Sequence, residues 1–271
     1  MKILALAIGC LLLAGCSGGG GGNPIPPGTG PALDLLFAYF GAAGSQITQT
    51  AAHVNATMLP GWGNWATDKQ IIADRIVQQM QDSIAAGVTK CIVFVDFLIW
   101  TPTLSYRGIA DCQAFVTRLQ GLGLWNNVVA LYVLDEPDVA GVSDAVMVQA
   151  CNDLKGFGKP IAAIYGAQGT PGIGALDWVG HDDYDIGASV LQHMPPIAST
   201  QRWMIVPGGA SPYKMDPAAF EAFAWGDKRV VAIIPFLWVD YPDSHGVTQQ
   251  GISDNGMAPA YTALGQKVKA L

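Results

Sequence analysis

Charge is scarce in this 271-residue chain, and glutamate is scarcer still. Only 13% of residues are charged, and of 21 acidic residues just two are glutamates, Glu136 and Glu221. Lys and Arg total 14, leaving a formal net charge of −7. An acidic chain without a basic run lacks the footprint that phosphate backbones select, so a nucleic-acid partner is excluded and a neutral or cationic substrate is favoured. None of the five cysteines has the Cys-x-x-Cys spacing of a zinc site. The first strand-like run is not followed by Gly-x-Gly-x-x-Gly, and no Gly-x-Ser-x-Gly occurs in the part with core-forming composition. Neither a nucleotide cofactor nor a serine nucleophile is therefore indicated, and the residues call for no cofactor. What is abundant is apolar: 51% of residues are hydrophobic, enough for a large core and too much for disorder.

The N-terminus carries Met1 and Lys2, then an apolar run from Ile3 to Leu13. That run is too short to span a bilayer and has the form of a secretion signal. Leu13-Ala14-Gly15-Cys16 resembles the lipobox of bacterial lipoproteins. The resemblance implies a signal over 1–15, a diacylated Cys16 as the new N-terminus and an anchor in a cell-envelope membrane. An ordinary signal with an incidental cysteine is the alternative. Ser17 resembles the residue that sorts such proteins to the outer membrane. Residues 16–32, rich in Gly and Pro, have almost nothing to bury and form a tether. Loss of Lys2 with the signal takes the net charge from −7 to −8. Cys91, Cys112 and Cys151 remain. Export permits a Cys112–Cys151 disulfide, and buried free thiols are the equal alternative.

From Leu33 onward, short apolar runs alternate with segments of helical period. The runs are Leu33–Phe40, Val54–Leu59, Cys91–Phe97, Val128–Leu134, Pro160–Tyr165, Trp178–Gly180, Trp203–Val206 and Val230–Trp238. Helices are expected over Thr67–Ala86, Arg107–Gln120, Ser143–Lys155, Asp216–Trp225 and Pro259–Leu271, with irregular connections after the fifth and sixth runs. Eight strand-helix units over residues 33–271, with no second linker, predict a single-domain α/β fold, a (β/α)8 TIM barrel. An open doubly wound sheet is the alternative.

In such a barrel the residues just after each run meet at one mouth. They are Tyr39; Trp62, Asn64 and Trp65; Asp96 and Trp100; Asp135, Glu136 and Asp138; Tyr165 and Gln168; His181, Asp182, Asp183, Tyr184 and Asp185; Pro207, Gly208 and Gly209; and Trp238, Asp240, Tyr241 and Asp243. Sugar rings stack on aromatic faces and bond carboxylates through their hydroxyls, and acetal cleavage needs a proton donor and a second carboxylate. The mixture suits a carbohydrate partner. Tyr39, Trp62, Asn64, Asp96, Trp100, Tyr165, His181, Trp238 and Asp240 are the candidate substrate contacts.

Tyr132-Val-Leu-Asp-Glu-Pro137 resembles the fourth-strand motif of the (β/α)8 glycoside hydrolases related to clan A. There a Glu, commonly followed by Pro, is the general acid/base, which implies that role for Glu136. Asp135 stands where that clan usually has Asn. The seventh run ends Val206-Pro207-Gly208-Gly209, without the clan's nucleophilic Glu. A second carboxylate is therefore expected from Asp182 or Asp183, with Asp96 and Asp240 behind them and Asp135 assisting. Three readings stay open beside hydrolysis by carboxylates. Asp-Glu-Pro-Asp could mark a helix N-terminus. His181, Asp182 and Asp183 could bind a cation with Glu136, although no metal is assigned. The barrel could also bind glycans without cleaving them. His53, His193 and His245 are read as surface or loop residues.

Overall fold

The computed structural model describes residues 31–271 except 43, 167–168 and 243–247. The expected signal, the lipidation site Cys16 and nearly all of the tether lie outside the described residues, as do Gln168, Asp243 and His245. Eight parallel strands make one sheet: β1 Leu36–Phe37, β2 Ala56–Leu59, β3 Lys90–Phe94, β4 Val128–Asp135, β5 Ile161–Tyr165, β6 Trp178–His181, β7 Arg202–Ile205 and β8 Val230–Ile233. Each pairs with its sequence neighbour from β2 through β8, and β8 returns to pair with β1. This is the (β/α)8 barrel expected, and the open doubly wound order is overturned by the β1–β8 pairing.

One seam, between β1 and β2, has no strand ladder. Asn55 closes it. Its Oδ1 accepts the Phe37 amide at 2.8 Å, its Nδ2 donates to the Leu35 carbonyl at 3.0 Å, and its own amide donates to the Phe37 carbonyl at 3.3 Å. A side-chain amide has the same donor and acceptor as a peptide, so Asn can stand in for a missing strand residue.

Period-two alternation splits the apolar residues into two layers. Leu36, Ala38, Ala56, Met58, Ile92, Phe94, Ala130, Tyr132, Ala162, Ile164, Met204 and Ala232 fill the barrel's interior. Space there is tight. A Cβ on Gly180 would sit 2.4 Å from Ile164 Cγ1. The opposite faces pack under α1 Lys69–Ala85, α2 Ala110–Gly121, α3 Asp144–Lys155, α4 Pro217–Gly226 and α5 Ala258–Lys269. Each helix buries one stripe, as α1 does with Ile72, Ala73, Ile76, Val77 and Met80. Among the described residues, only 3-10 turns follow β5 and β6, at Ile173–Ala175 and Tyr184–Gln192.

One open reading is resolved and another changes. Cys91, Cys112 and Cys151 are buried free thiols, so no Cys112–Cys151 bridge is formed. His53 is buried, not superficial: its Nε2 lies 3.1 Å from the Tyr39 hydroxyl, with the ring against Tyr39 and Trp238. Burial lowers its pKa, aided by Lys269.

Replacing Asn55 by Ala strands a backbone donor and an acceptor at the seam. We expect Asn55→Ala to lose roughly 2–3 kcal/mol in urea unfolding, with Asn55→Asp in between; an unchanged midpoint for the alanine variant would refute the seam's role.

Candidate active site

The site is built by a register shift. Along β4, Tyr132 pairs with Ala162 but Leu134 pairs with Ala163, so Val133 is an extra residue in the ladder. The bulge reverses the alternation after it. Val133 and Leu134 both pack outside, and Asp135 returns to the inner face, opposite Ile164. There the Tyr132 hydroxyl donates to Asp135 Oδ1 at 2.6 Å and accepts the Ile164 amide at 3.2 Å. Tyr132 is itself clamped by stacking on Phe94, centroids 4.2 Å apart.

Glu136 follows with φ +43°, the left-handed region that non-glycine residues seldom occupy and that collects at functional sites. Its amide donates to the Ile164 carbonyl at 2.9 Å and its carbonyl accepts the Ala140 amide at 2.9 Å. The conformation is thus held from both sides. Helix α3 starts only at Asp144, with Ser143 at the N-cap position, so Asp-Glu-Pro-Asp is not a helix N-terminus. Asp138 instead ties down the β5–β6 connection, accepting the Gly166 amide at 3.0 Å and the Gly169 amide at 3.2 Å.

Asp182, at the end of β6, approaches the same ground. Its amide donates to the Tyr165 carbonyl at 2.9 Å, and its Oδ2 accepts the Tyr184 hydroxyl at 2.8 Å. Four acids therefore share the floor of the mouth, and burial is the leading influence on each. It pushes Asp96 up to about 8, with Asp135 adding repulsion. It pushes Glu136 up to about 7, with Asp135 and Asp138 adding to it. Asp135 rises to about 6. Its side chain is exposed at the mouth, and the Tyr132 bond moderates its rise. Asp182 goes well above the usual carboxylate range, first through burial and then through the charges of Glu136 and Asp135. Burial of both carboxyls and the charge of Glu136 beside Asp182 thus favour the protonated form of these acids.

The candidate residues divide sharply. Glu136, Asp135, Asp182 and Asp96 come together. Asp183 turns away and caps the following turn, accepting the Asp185 amide at 3.3 Å. Asp240 is exposed and holds its loop through the Gly251 amide at 2.7 Å. Tyr39, Trp100, Tyr165 and Trp238 are buried in the layer between strands and helices, not at the mouth. Their polar atoms are engaged there: Trp100 Nε1 donates to Val133 O, Tyr165 Oη to Pro171 O and Trp238 Nε1 to Gln49 Oε1. Trp62 stays 48% exposed, its ring 6.0 Å from Phe40. Asn64 is exposed and accepts the Ala66 amide. His181 lines a cleft of about 390 Å³ with Gly166, Thr170, Asp183, His193 and Pro195, opening beside the acids.

Sequence reasoning missed Phe236 and Tyr213, and it placed Tyr184 at the mouth and Tyr132 in the fourth-strand motif without giving either a role. Tyr184 stacks on Phe236 and leans on Tyr213, which is 39% exposed. Tyr132 shares the inward parity of Ala130, and an inward tyrosine three residues before an acid was the signal available. Among the described residues, no group of three or more His, Cys, Asp or Glu side chains is arranged to hold a metal ion.

No family model matches the chain, and no curated protein is similar to it in sequence. Its fold is similar to that of a GH128 (subgroup IV) endo-β-1,3-glucanase from Lentinula edodes, with TM-score 0.52 and 15% identity over 87% of this chain and 100% of that one. A putative α-L-fucosidase from Bacteroides thetaiotaomicron gives 0.48 at 8% identity, over 95% and 99%. Gas2p of Saccharomyces cerevisiae, bound to laminaritetraose and laminaripentaose, gives 0.41 at 8%, over 82% and 56%. At such identities the shared property is the barrel itself.

An acid whose pKa rises on folding keeps a proton that the unfolded chain sheds. Between about pH 4 and pH 8 the Asp96 carboxyl therefore costs stability progressively as pH increases. Asp96→Asn preserves the acceptor for the Phe97 amide, 2.8 Å away. We expect it to stabilise the protein at pH 8 by on the order of 2 kcal/mol, or about 4–8 °C in Tm, and to do little at pH 4. Equal shifts at both pH values would show that Asp96 is not held protonated.

Proposed function

We propose that the chain is a glycoside hydrolase of the cell envelope, anchored through lipid on Cys16, that cleaves a poly- or oligosaccharide. The observation that carries this reading is the convergence of Glu136 and Asp182 at the mouth of the barrel, two carboxyls that burial pushes up so that one can hold a proton, with the charge of Glu136 bearing on Asp182. Acetal hydrolysis needs that state: one acid to protonate the departing oxygen and one carboxylate on the other side. Glu136 gives its proton to the glycosidic oxygen as the bond to the anomeric carbon breaks. Water adds to that carbon, and its proton goes to Asp182. Tyr184, donating to Oδ2, fixes the Asp182 side chain. Asp135, oriented by Tyr132, adds its charge to the burial that keeps Glu136 protonated, and it bonds sugar hydroxyls. The exposed rings of Trp62 and Tyr213 offer stacking surfaces for sugar faces. The fold shared with a β-1,3-glucanase supports starting with β-glucans.

A second reading, glycan binding without cleavage, draws on the end of β7. Gly208 lies there beneath Tyr184 and Tyr213, and a Cβ in its place would meet Tyr184 Cδ1 at 2.8 Å. No acid comes from that strand end.

The discriminating experiment is hydrolysis of a panel of β-glucan oligosaccharides, laminaritetraose among them, by the wild type and Glu136→Gln. We expect the variant to lose 10²- to 10⁴-fold in kcat/KM, in line with removal of a general acid, while still binding the oligosaccharide. Cleavage at the parental rate would sink the role of Glu136, and binding without turnover by the wild type would select the second reading. Cys16→Ala should move the protein from the membrane to the soluble fraction, and retention at the membrane would remove the anchor.

A further inference from the structure

Two tyrosine–aspartate pairs stand at the mouth, and they differ at one atom. In the first, the Tyr132 hydroxyl donates to Asp135 Oδ1 at 2.6 Å while its oxygen accepts the Ile164 amide at 3.2 Å, so it is engaged both as donor and as acceptor. In the second, the Tyr184 hydroxyl donates to Asp182 Oδ2 at 2.8 Å, and no donor among the described residues reaches its oxygen. A hydroxyl has one hydrogen to give and lone pairs to receive with. Tyr132 is therefore a strut for its aspartate, whereas Tyr184 keeps an acceptor open for a water. Asp182 needs such an intermediary. It is buried, its Oδ1 is closed to solvent, and its Oδ2 is capped by the Tyr184 hydroxyl. Tyr184 itself is half-buried, stacked on Phe236 and leaning on Tyr213. Its ring rests against the end of β7, where a Cβ on Gly208 would lie 2.8 Å from Tyr184 Cδ1. The strand end that lacks an acid is thus occupied by a ring whose hydroxyl leads to one.

We propose, building on the glycosidase reading, that Tyr184 is a catalytic proton relay: its oxygen takes a proton from the attacking water as its own proton passes to Asp182 Oδ2. The water oxygen bonds to the anomeric carbon, the glycosidic bond breaks, and Glu136 gives its proton to the leaving oxygen. One water proton goes to the Tyr184 oxygen, the phenolic proton goes to Asp182, and the other water proton stays on the product hydroxyl. Tyr184 ends as it began and never carries a charge. That suits its surroundings, because burial and then the charge of Asp182 push its pKa well above the ordinary tyrosine value. Burial raises Asp182 first and the charge of Glu136 second. With the proton on Glu136 the second influence is gone, which leaves Asp182 as the carboxylate that receives. Return of that proton through Tyr184 to water, and uptake of one by Glu136, reset the site.

The test uses an oligosaccharide that the wild-type protein cleaves. Tyr184→Phe removes one oxygen and keeps the ring on Phe236 and Tyr213. It should lower kcat by about 10²- to 10⁴-fold, the range for lost acid–base assistance, with KM unchanged. Asp182→Asn should lower kcat to a similar extent, and the double variant should fall no further than the slower single one, because the two groups form one route. A parental kcat for Tyr184→Phe, a change confined to KM, or losses that multiply in the double variant overturns the relay. Should Tyr184→Phe fail to fold, wild-type turnover of a nitrophenyl oligosaccharide, whose leaving group needs no proton, is followed in mixtures of light and heavy water. A curved dependence, from two protons moving together, is expected, and a straight line overturns the proposal. A wild type without turnover removes the glycosidase reading and the relay with it, whereas wild-type turnover with an unimpaired Tyr184→Phe removes the relay alone.

Discussion

The extra residue at Val133 fixes where the acids of the mouth end up. In an unbroken ladder Leu134 would point into the barrel and Asp135 out toward the helices, and the Tyr132 hydroxyl would face an apolar neighbour. With the bulge, Asp135 meets that hydroxyl at 2.6 Å, and the same oxygen accepts the Ile164 amide. Ile164 in turn gives its carbonyl to the Glu136 amide, which helps hold Glu136 at φ +43°. The insertion thus brings Asp135 to the inner face, and the left-handed turn that follows takes Glu136 out of the strand's alternation.

Concentrating acids there has an energetic consequence. Asp96, Asp135, Glu136 and Asp182 are each less acidic than in water, chiefly because the surrounding protein desolvates them and secondarily because of neighbouring carboxylates. A protein selected only for stability would put amides or apolar groups in these places. The remainder of the molecule compensates by ordinary means: an interior packed to the limit at Gly180, amphipathic helices and a layer of large rings between helices and strands. Those rings include Tyr39, Trp100, Tyr165 and Trp238. Their polar tips bond to backbone or side-chain partners, and their role is to hold strand ends in position.

The barrel was legible in the sequence because its signals are local. Apolar runs of strand length, helical stripes such as Ile72, Ile76 and Met80, and Asp216 before Pro217 each depend on a few adjacent residues. The acid cluster was legible to the extent that Asp135, Glu136 and Asp182 directly follow apolar runs. Facing was not. At a strand's last residues the alternation is overridden by bulges and turns, so Trp100 and Tyr165 turned outward and Asp183 became a cap while Asp182 joined the cluster. The bulge at Val133 exists only relative to β5, and no reading of β4 alone reveals it. Strand limits moved for a similar reason: the third apolar run continues past Phe94, but Asp96–Ile99 forms a helical turn because Asp96 Oδ1 takes the Phe97 amide.

Closure of the barrel by Asn55 has a bearing on how the molecule moves. Seven of the eight junctions are ladders of several backbone bonds, whereas the eighth relies heavily on one side chain, whose rotamer can change without any strand unfolding. Opening is therefore easiest at that joint, and the Phe37 amide exchanges with solvent whenever Asn55 swings away, at a free energy below that of global unfolding. The cylinder behaves as a curled sheet fastened at one edge, and its slowest breathing runs along the line between its first two strands.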